Sequence, residues 1–98
     1  MQHIEDIVRV PGIDSLFIGP YDLAASMGKI GRPADPEVQD AILRVKRAAA
    51  TVTRPLGIFA PTAEAVQPYI QTGYTLVAVG IDTLLLGHAA KAITALLK

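Results

Sequence analysis

Apolar residues along the chain fall into two patterns. Three short runs are apolar on both faces: Ser15-Leu16-Phe17-Ile18, Leu56-Gly57-Ile58-Phe59 and Leu76-Val77-Ala78-Val79. Runs of branched and aromatic residues without polar alternation mark strands buried on two sides, as in a parallel sheet. Elsewhere the apolar residues recur at helical spacing. Val38, Ile42, Val45 and Ala49 form one stripe of the longest helix, and Glu37, Asp40, Arg44 and Lys46 form its outer face. Asp35 is placed to cap that helix, and Pro36 suits its first position, where a missing N–H costs nothing. A last helix is expected from an Asp82 N-cap, with Leu85, Ala89, Ile93 and Leu96 or Leu97 on one stripe and Lys91 and Lys98 exposed. Shorter helices are expected at Ile4, Ile7 and Val8, ending before Pro11-Gly12, and from Tyr21 to Met27 behind Gly19-Pro20. A further one runs from Ala63 to Gln71, capped by Thr62, stopped at Gly73, and weakened or kinked by Pro68. Gly28 to Pro33 reads as a loop.

The order is one helix followed by three strand–helix units, which calls for a parallel sheet with right-handed crossovers. Such a sheet is normally covered on both faces, yet these elements leave two open edges and one bare face. A closed (β/α)8 barrel takes about 250 residues. The pattern therefore predicts an α/β chain in which residues 1–98 are a single segment, the last three units at the carboxyl-terminal part of such a barrel.

Composition narrows the chemistry. With 51% hydrophobic and 18% charged residues the chain can pack a core. Nine basic and nine acidic residues give zero formal net charge, which argues against nucleic acid or an anionic membrane surface as partner. There is no Cys, so thiolate metal sites, disulfides and cysteine nucleophiles are excluded, and a metal would be a hard divalent cation held by oxygen or imidazole. No apolar run approaches the ~20 residues of a membrane span, and Met1 to Glu5 lacks a signal-peptide pattern, so a soluble cytoplasmic protein is expected.

In an α/β protein the ligand site lies at the carboxyl ends of the strands, which directs attention to the turns at Gly19, Ala60 and Gly80. Gly19-Pro20-Tyr21-Asp22 sets a carboxylate in the first turn of a helix at a strand mouth, beside free backbone N–H groups. Asp22 there can ligate Mg²⁺ or Mn²⁺ while the N–H groups hold a substrate carboxylate, or it can simply complement the helix dipole. Asp82 fits an N-cap better than a substrate contact, and Gly80 fits a turn or a close ligand approach. Tyr21 can line a pocket or pack beside Pro20. His3 and His88 lie on helices away from the strand tips, and Arg9 and Arg32 read as solvated charges. No Ser-His-Asp arrangement, phosphate-binding loop or G-x-G-x-x-G fingerprint occurs.

The segment Leu16-Phe17-Ile18-Gly19-Pro20-Tyr21-Asp22-Leu23-Ala24 resembles the metal-dependent pyruvate aldolases of the HpcH/HpaI aldolase/citrate lyase family. The resemblance continues through Met27-Gly28, Pro36-Glu37-Val38-Gln39, Gly57-Ile58-Phe59-Ala60 and Val77-Ala78-Val79-Gly80-Ile81-Asp82, nearly the whole chain in order. It implies a TIM barrel that reversibly cleaves 4-hydroxy-2-oxo acids into pyruvate and an aldehyde, with a divalent ion (Mg²⁺ or Mn²⁺, with Co²⁺ as a further option) stabilising the pyruvate enolate. By the same resemblance Asp22 matches a metal-ligating carboxylate, and Gly19, Pro20, Tyr21 and Asp22 match the cradle of the pyruvate carboxylate. Phe59 falls where the family has an apolar residue, often Leu, near the substrate. Tyr21 replaces a small residue of many members, which implies a separate branch with its own aldehyde selectivity. The family's other metal-ligating Glu, its basic His and its substrate-binding Arg have no counterpart in His3, Glu5 or Arg9. The resemblance thus implies that the chain is inactive alone, and that the whole enzyme is a homo-oligomer. Two other readings stay open: a non-catalytic remnant that folds by association with itself or a complementary fragment, and a related barrel acting on an acyl-CoA or binding phosphate.

Overall fold

The computed structural model describes residues 1–97. Along the chain run α1 (Ile4–Ile7), β1 (Leu16–Ile18), α2 (Pro20–Ser26), α3 (Pro36–Thr51), β2 (Leu56–Ala60), α4 (Ala63–Gln71), β3 (Leu76–Val79) and α5 (Asp82–Leu96). The strands form one parallel sheet in the order β1-β2-β3. Phe17 lies beside Gly57 and Gly57 beside Leu76, while Ile58 lies beside Ile18 and Val77. Because side chains alternate across a strand, this register sorts the sheet into two unlike faces. Leu16, Ile18, Leu56, Ile58 and Ala60 turn to the helices, and Phe17, Gly57, Phe59, Leu76 and Ala78 turn the other way.

The core lies on the helix side. Ile58 and Val38 are fully buried, and they are joined by Val8, Ile18, Ala24, Ile42, Val45, Ala49 and Val66. The α3 stripe expected from spacing is the buried one, with Ala48 added. Its start follows the sequence: the Asp35 side chain accepts from the Glu37 N–H at 3.0 Å, and Pro36 takes the first turn. Thr62 caps α4 in the same way, accepting from the Ala65 N–H at 3.1 Å. Helix α4 continues through Pro68 to Gln71.

Two side chains tie the amino-terminal segment down. Arg54, directly before β2, donates to the Val8 carbonyl at 2.9 Å, to the Val10 carbonyl at 3.2 Å and to the Ile13 carbonyl. That fork fixes the turn feeding β1 at the amino-terminal end of the sheet. Arg44 of α3 grips Glu5 of α1 with both prongs, at 3.0 and 2.9 Å, and this pairing holds the Glu5 carboxyl below the usual carboxylate range. On the same side Tyr69 and Tyr74 meet edge to face, with ring centroids 5.3 Å apart. Burial raises the Tyr74 phenol to about 12, with a smaller contribution from Tyr69.

The carboxyl-terminal helix departs from expectation. Asp82 is not its cap: the chain stays extended through Ile81, which takes the cap position without a side-chain bond, so Asp82 is the first helical residue. Its Oδ1 accepts from the Thr83 N–H at 2.7 Å, and its charge sits in the first turn, where the helix dipole favours it. The stripe of Leu85, Ala89, Ile93 and Leu96 is not buried, and neither is Leu97. No residue of α5 is buried, because no element of this chain lies over that stripe. Lys91 is exposed as expected, whereas Lys98 lies outside the described residues. Ser15 stays outside β1, and Ala60 extends β2 by one residue.

This unequal packing has measurable consequences. Ile58→Ala should cost about 2–5 kcal/mol in urea unfolding, whereas Leu96→Ala should change stability by less than about 0.5 kcal/mol. Tyr74 also predicts a stability loss at high pH. Its folded pKa lies above the ordinary value, so its contribution is whole below pH 10 and falls as pH rises toward about 12. In Tyr74→Phe the part of the alkaline loss that comes from this phenol should disappear from pH-dependent unfolding curves.

Candidate active site at the carboxyl ends of the strands

Where β1 ends, the chain turns sharply into α2. Gly19 is the extended residue before the helix, and Pro20 occupies its first position. The Gly19 carbonyl accepts from the Leu23 N–H at 2.9 Å, closing the first turn. Pro20 has no N–H, so the donors left over at this end are the amides of Tyr21 and Asp22. The Asp22 side chain folds back over Gly19: a Cβ at Gly19 would stand 3.2 Å from its Oδ2. A side chain at Gly19 would therefore press on the one carboxylate of the turn.

This turn borders a cleft of about 650 Å³ over the bare face of the sheet. Gly19, Tyr21 and Asp22 of the first turn meet Phe59 from the end of β2 there, so four of the residues singled out in the sequence share one site. The remaining lining comes from Phe17, Pro61, Ala78, Ile81 and Leu84, none of which the sequence reading singled out. The signal existed in the alternation: Phe17 shares the face of Gly19, and the register sets Phe59 beside Ala78. Gly57 lets this floor form. A Cβ there would lie 2.7 Å from the Phe17 ring and 2.9 Å from the Leu76 carbonyl oxygen, so only glycine lets the ring lie across β2.

The other candidates fall outside the cleft. Pro20 is buried and lines a smaller cavity behind Tyr21 instead. Gly80 adopts a positive φ of 93°, which explains glycine at the exit of β3, and Asp82 acts in the first turn of α5. His3, Arg9, Arg32 and His88 are exposed and do not line the cleft. Asp22 is its single charged lining residue. Among the described residues no group of three or more His, Asp or Glu could hold a metal ion, so this chain does not assemble a complete ligand set. Mg²⁺ and Mn²⁺ want about six hard ligands, and Asp22 can be one of them. No helix among the described residues is long and apolar enough to cross a membrane.

The fold agrees with what the chain is similar to. The profile of the HpcH/HpaI aldolase/citrate lyase family matches residues 1–89, and the chain belongs to that family. A 4-hydroxy-2-oxovalerate aldolase of Rhodococcus jostii (strain RHA1) is 44% identical over 95 residues, 97% of this chain and 37% of that protein. A hydroxypyruvate/pyruvate aldolase of Cupriavidus necator (strain ATCC 17699) is 42% identical over 95 residues, 97% of this chain and 35% of that protein. The crystal structure of an HpcH/HpaI aldolase/citrate lyase family protein from Burkholderia cenocepacia J2315 superposes with a TM-score of 0.90 at 37% identity, covering 99% of this chain and 38% of that one. The chain thus spans little more than a third of the length of these relatives, and its strand–helix units are those of their TIM barrel.

The tightest packing constraint around the cleft is open to test. Gly57→Ala should destabilise the chain by about 1–3 kcal/mol and displace the Phe17 ring. Removing that ring in Phe17→Ala should recover only part of the loss, because the clash with the Leu76 carbonyl remains. Unfolding curves of the two single variants and the double variant measure this coupling.

Proposed function

We propose that this chain is the carboxyl-terminal part of a barrel aldolase, residues 1–98 forming one segment of a single domain, and that it supplies the pyruvate-binding side of the active site. The reaction is the reversible cleavage of a 4-hydroxy-2-oxo acid into pyruvate and an aldehyde. The observation that supports it most is the Gly19–Asp22 turn, which sets a carboxylate and two spare amides side by side at the mouth of an apolar cleft. The Tyr21 and Asp22 N–H groups suit the substrate carboxylate, and Gly19 and Pro20 shape the backbone that presents them. Asp22 supplies one oxygen ligand to a divalent cation, Mg²⁺, Mn²⁺ or Co²⁺, which when bound would act as Lewis acid on the keto acid. The other ligands and the base that moves the substrate proton come from outside residues 1–97. Phe59, with Tyr21, forms the apolar wall beside the reacting carbons. The names of the relatives, aldolases for 4-hydroxy-2-oxovalerate and for hydroxypyruvate or pyruvate, support the reaction class. The whole enzyme is read as a cytoplasmic homo-oligomer.

A second reading has its own observation. The uncovered stripe of α5, with Leu85, Leu86 and Ile93 each more than half exposed, favours a remnant that folds by self-association. Sedimentation at rising concentration separates the two states of the isolated chain, and under this reading Ile93→Lys would shift it toward monomer.

Calorimetry tests the aldolase reading. Pyruvate, or oxalate as its enolate mimic, should bind this chain only when Mg²⁺ or Mn²⁺ is present, and Asp22→Ala should abolish that metal-dependent binding. The isolated chain should not turn over. A Mn²⁺-dependent release of pyruvate that Asp22→Ala removes would overturn the claim that it is inactive alone.

A further inference from the structure

The cleft has a neighbour behind Tyr21. A cavity of about 220 Å³ lies among the start of α2, the Pro33 turn and α4, and it shares three wall residues with the cleft: Tyr21, Phe59 and Pro61. These three side chains stand between the two spaces. Among the described residues no charged side chain lines the cavity. Most of its wall is proline, alanine and aromatic ring, and its polar side-chain groups are the Gln39 amide and the hydroxyls of Tyr21 and Tyr69.

Gln39 and Tyr69 have a defined arrangement. Gln39 Nε2 donates to the Pro33 carbonyl at 2.7 Å and to the Tyr69 hydroxyl at 3.4 Å. The bond to a carbonyl fixes which end of the amide is nitrogen, and Oε1 is left without a protein partner among the described residues. It reaches solvent, since no buried polar atom of the described residues is unpaired. The Tyr69 hydroxyl accepts from Gln39 and keeps its own proton to give, while its ring is held by the edge contact with Tyr74. Gln39 and Tyr69 border this cavity and a second one that Asp40 and Lys46 also line, and on the apolar side one donor and one acceptor complement a hydroxyl group. They cannot neutralise a carboxylate, and burying an anion without a partner is costly.

We infer that this cavity is the subsite for the tail of the aldehyde half of the substrate, and that it takes a short neutral aliphatic tail, plain or hydroxyl-ended, and rejects one ending in a carboxylate. The inference rests on the aldolase reading of the cleft. It gives Tyr21 a role as the partition between the two spaces, and it makes Tyr69 and Gln39 specificity-determining residues outside the metal and pyruvate end of the site.

The test uses alcohols in place of aldehydes, which would react with lysine amines. 1,4-Butanediol and 4-hydroxybutyrate have the same chain length and differ in one charged end. In NMR titrations of this chain the diol should give saturable shifts of the Gln39 side-chain amide and the Tyr21 and Tyr69 rings, with 4-hydroxybutyrate at least about tenfold weaker. Tyr69→Phe keeps the ring against Tyr74 and should weaken the diol roughly fivefold, the loss of one neutral hydrogen bond. Equal binding of the anion, absence of saturable shifts at these residues, or an unchanged affinity in Tyr69→Phe overturns the inference. Pyruvate titrated with Mg²⁺ into the same samples reads the cleft separately. Pyruvate binding without diol binding removes the subsite and leaves the aldolase reading. Diol binding with the stated preference but no pyruvate binding removes the aldolase reading, and with it the aldehyde as occupant.

Discussion

A short parallel sheet can be shielded on one face by its own crossover helices, but nothing in its connectivity shields the other. Consecutive residues of β2 make the difference plain: Ile58 is fully buried on the face that α2 and α4 cover, whereas Gly57 is covered on the opposite face by the Phe17 ring, itself half exposed. Every core residue named on the sheet belongs to the helix side. The bare side holds Phe17, Leu76 and Ala78, and in a closed barrel that is the interior. The structural relative of TM-score 0.90 is more than twice as long as this chain, which gives the physical scale of what such a face lacks.

The same constraint explains where the sequence could and could not be read. Strands and caps were legible because their causes are local: Pro36 and Asp35 start α3, Thr62 starts α4, and three two-sided apolar runs become three strands. The α5 stripe was legible as a pattern but not as burial. Leu85, Ile93 and Leu96 carry the spacing of a core helix, and the elements that would bury them are not among those of this chain. Asp82 failed for a smaller reason. An acidic residue near a helix start serves equally as cap or as first-turn charge, and the choice depended on the backbone angles of Ile81, which residue types do not report.

In the site the division lies between chemistry and shape. Asp22 stood out because a carboxylate after Gly-Pro at a strand end suits a metal ligand as well as the helix dipole, and the structure sets it over Gly19 at the cleft mouth. Phe17, Ile81 and Leu84 were invisible as cleft residues because apolar side chains in apolar runs read as core. Only the strand register, which sets Phe17 beside Gly57 and Phe59 beside Ala78, converts them into a floor and a wall. Pro20 shows the reverse case, since the residue that shapes the turn is buried within it and leaves contact with the cleft to its neighbours.

The distribution of cations completes the argument about polarity. Arg54 is spent on three carbonyls at the amino-terminal end of the sheet, the side of a barrel that governs stability, and Arg44 on Glu5 between α3 and α1. Among the described residues, the cleft at the carboxyl-terminal end has no arginine or lysine and a single negative charge at Asp22. An anionic substrate brought there against Asp22 alone would be repelled. Its binding requires either a cation shared with that carboxylate or the two spare amides of the α2 turn, and the geometry that sets the amides beside Asp22 lets both operate on one molecule.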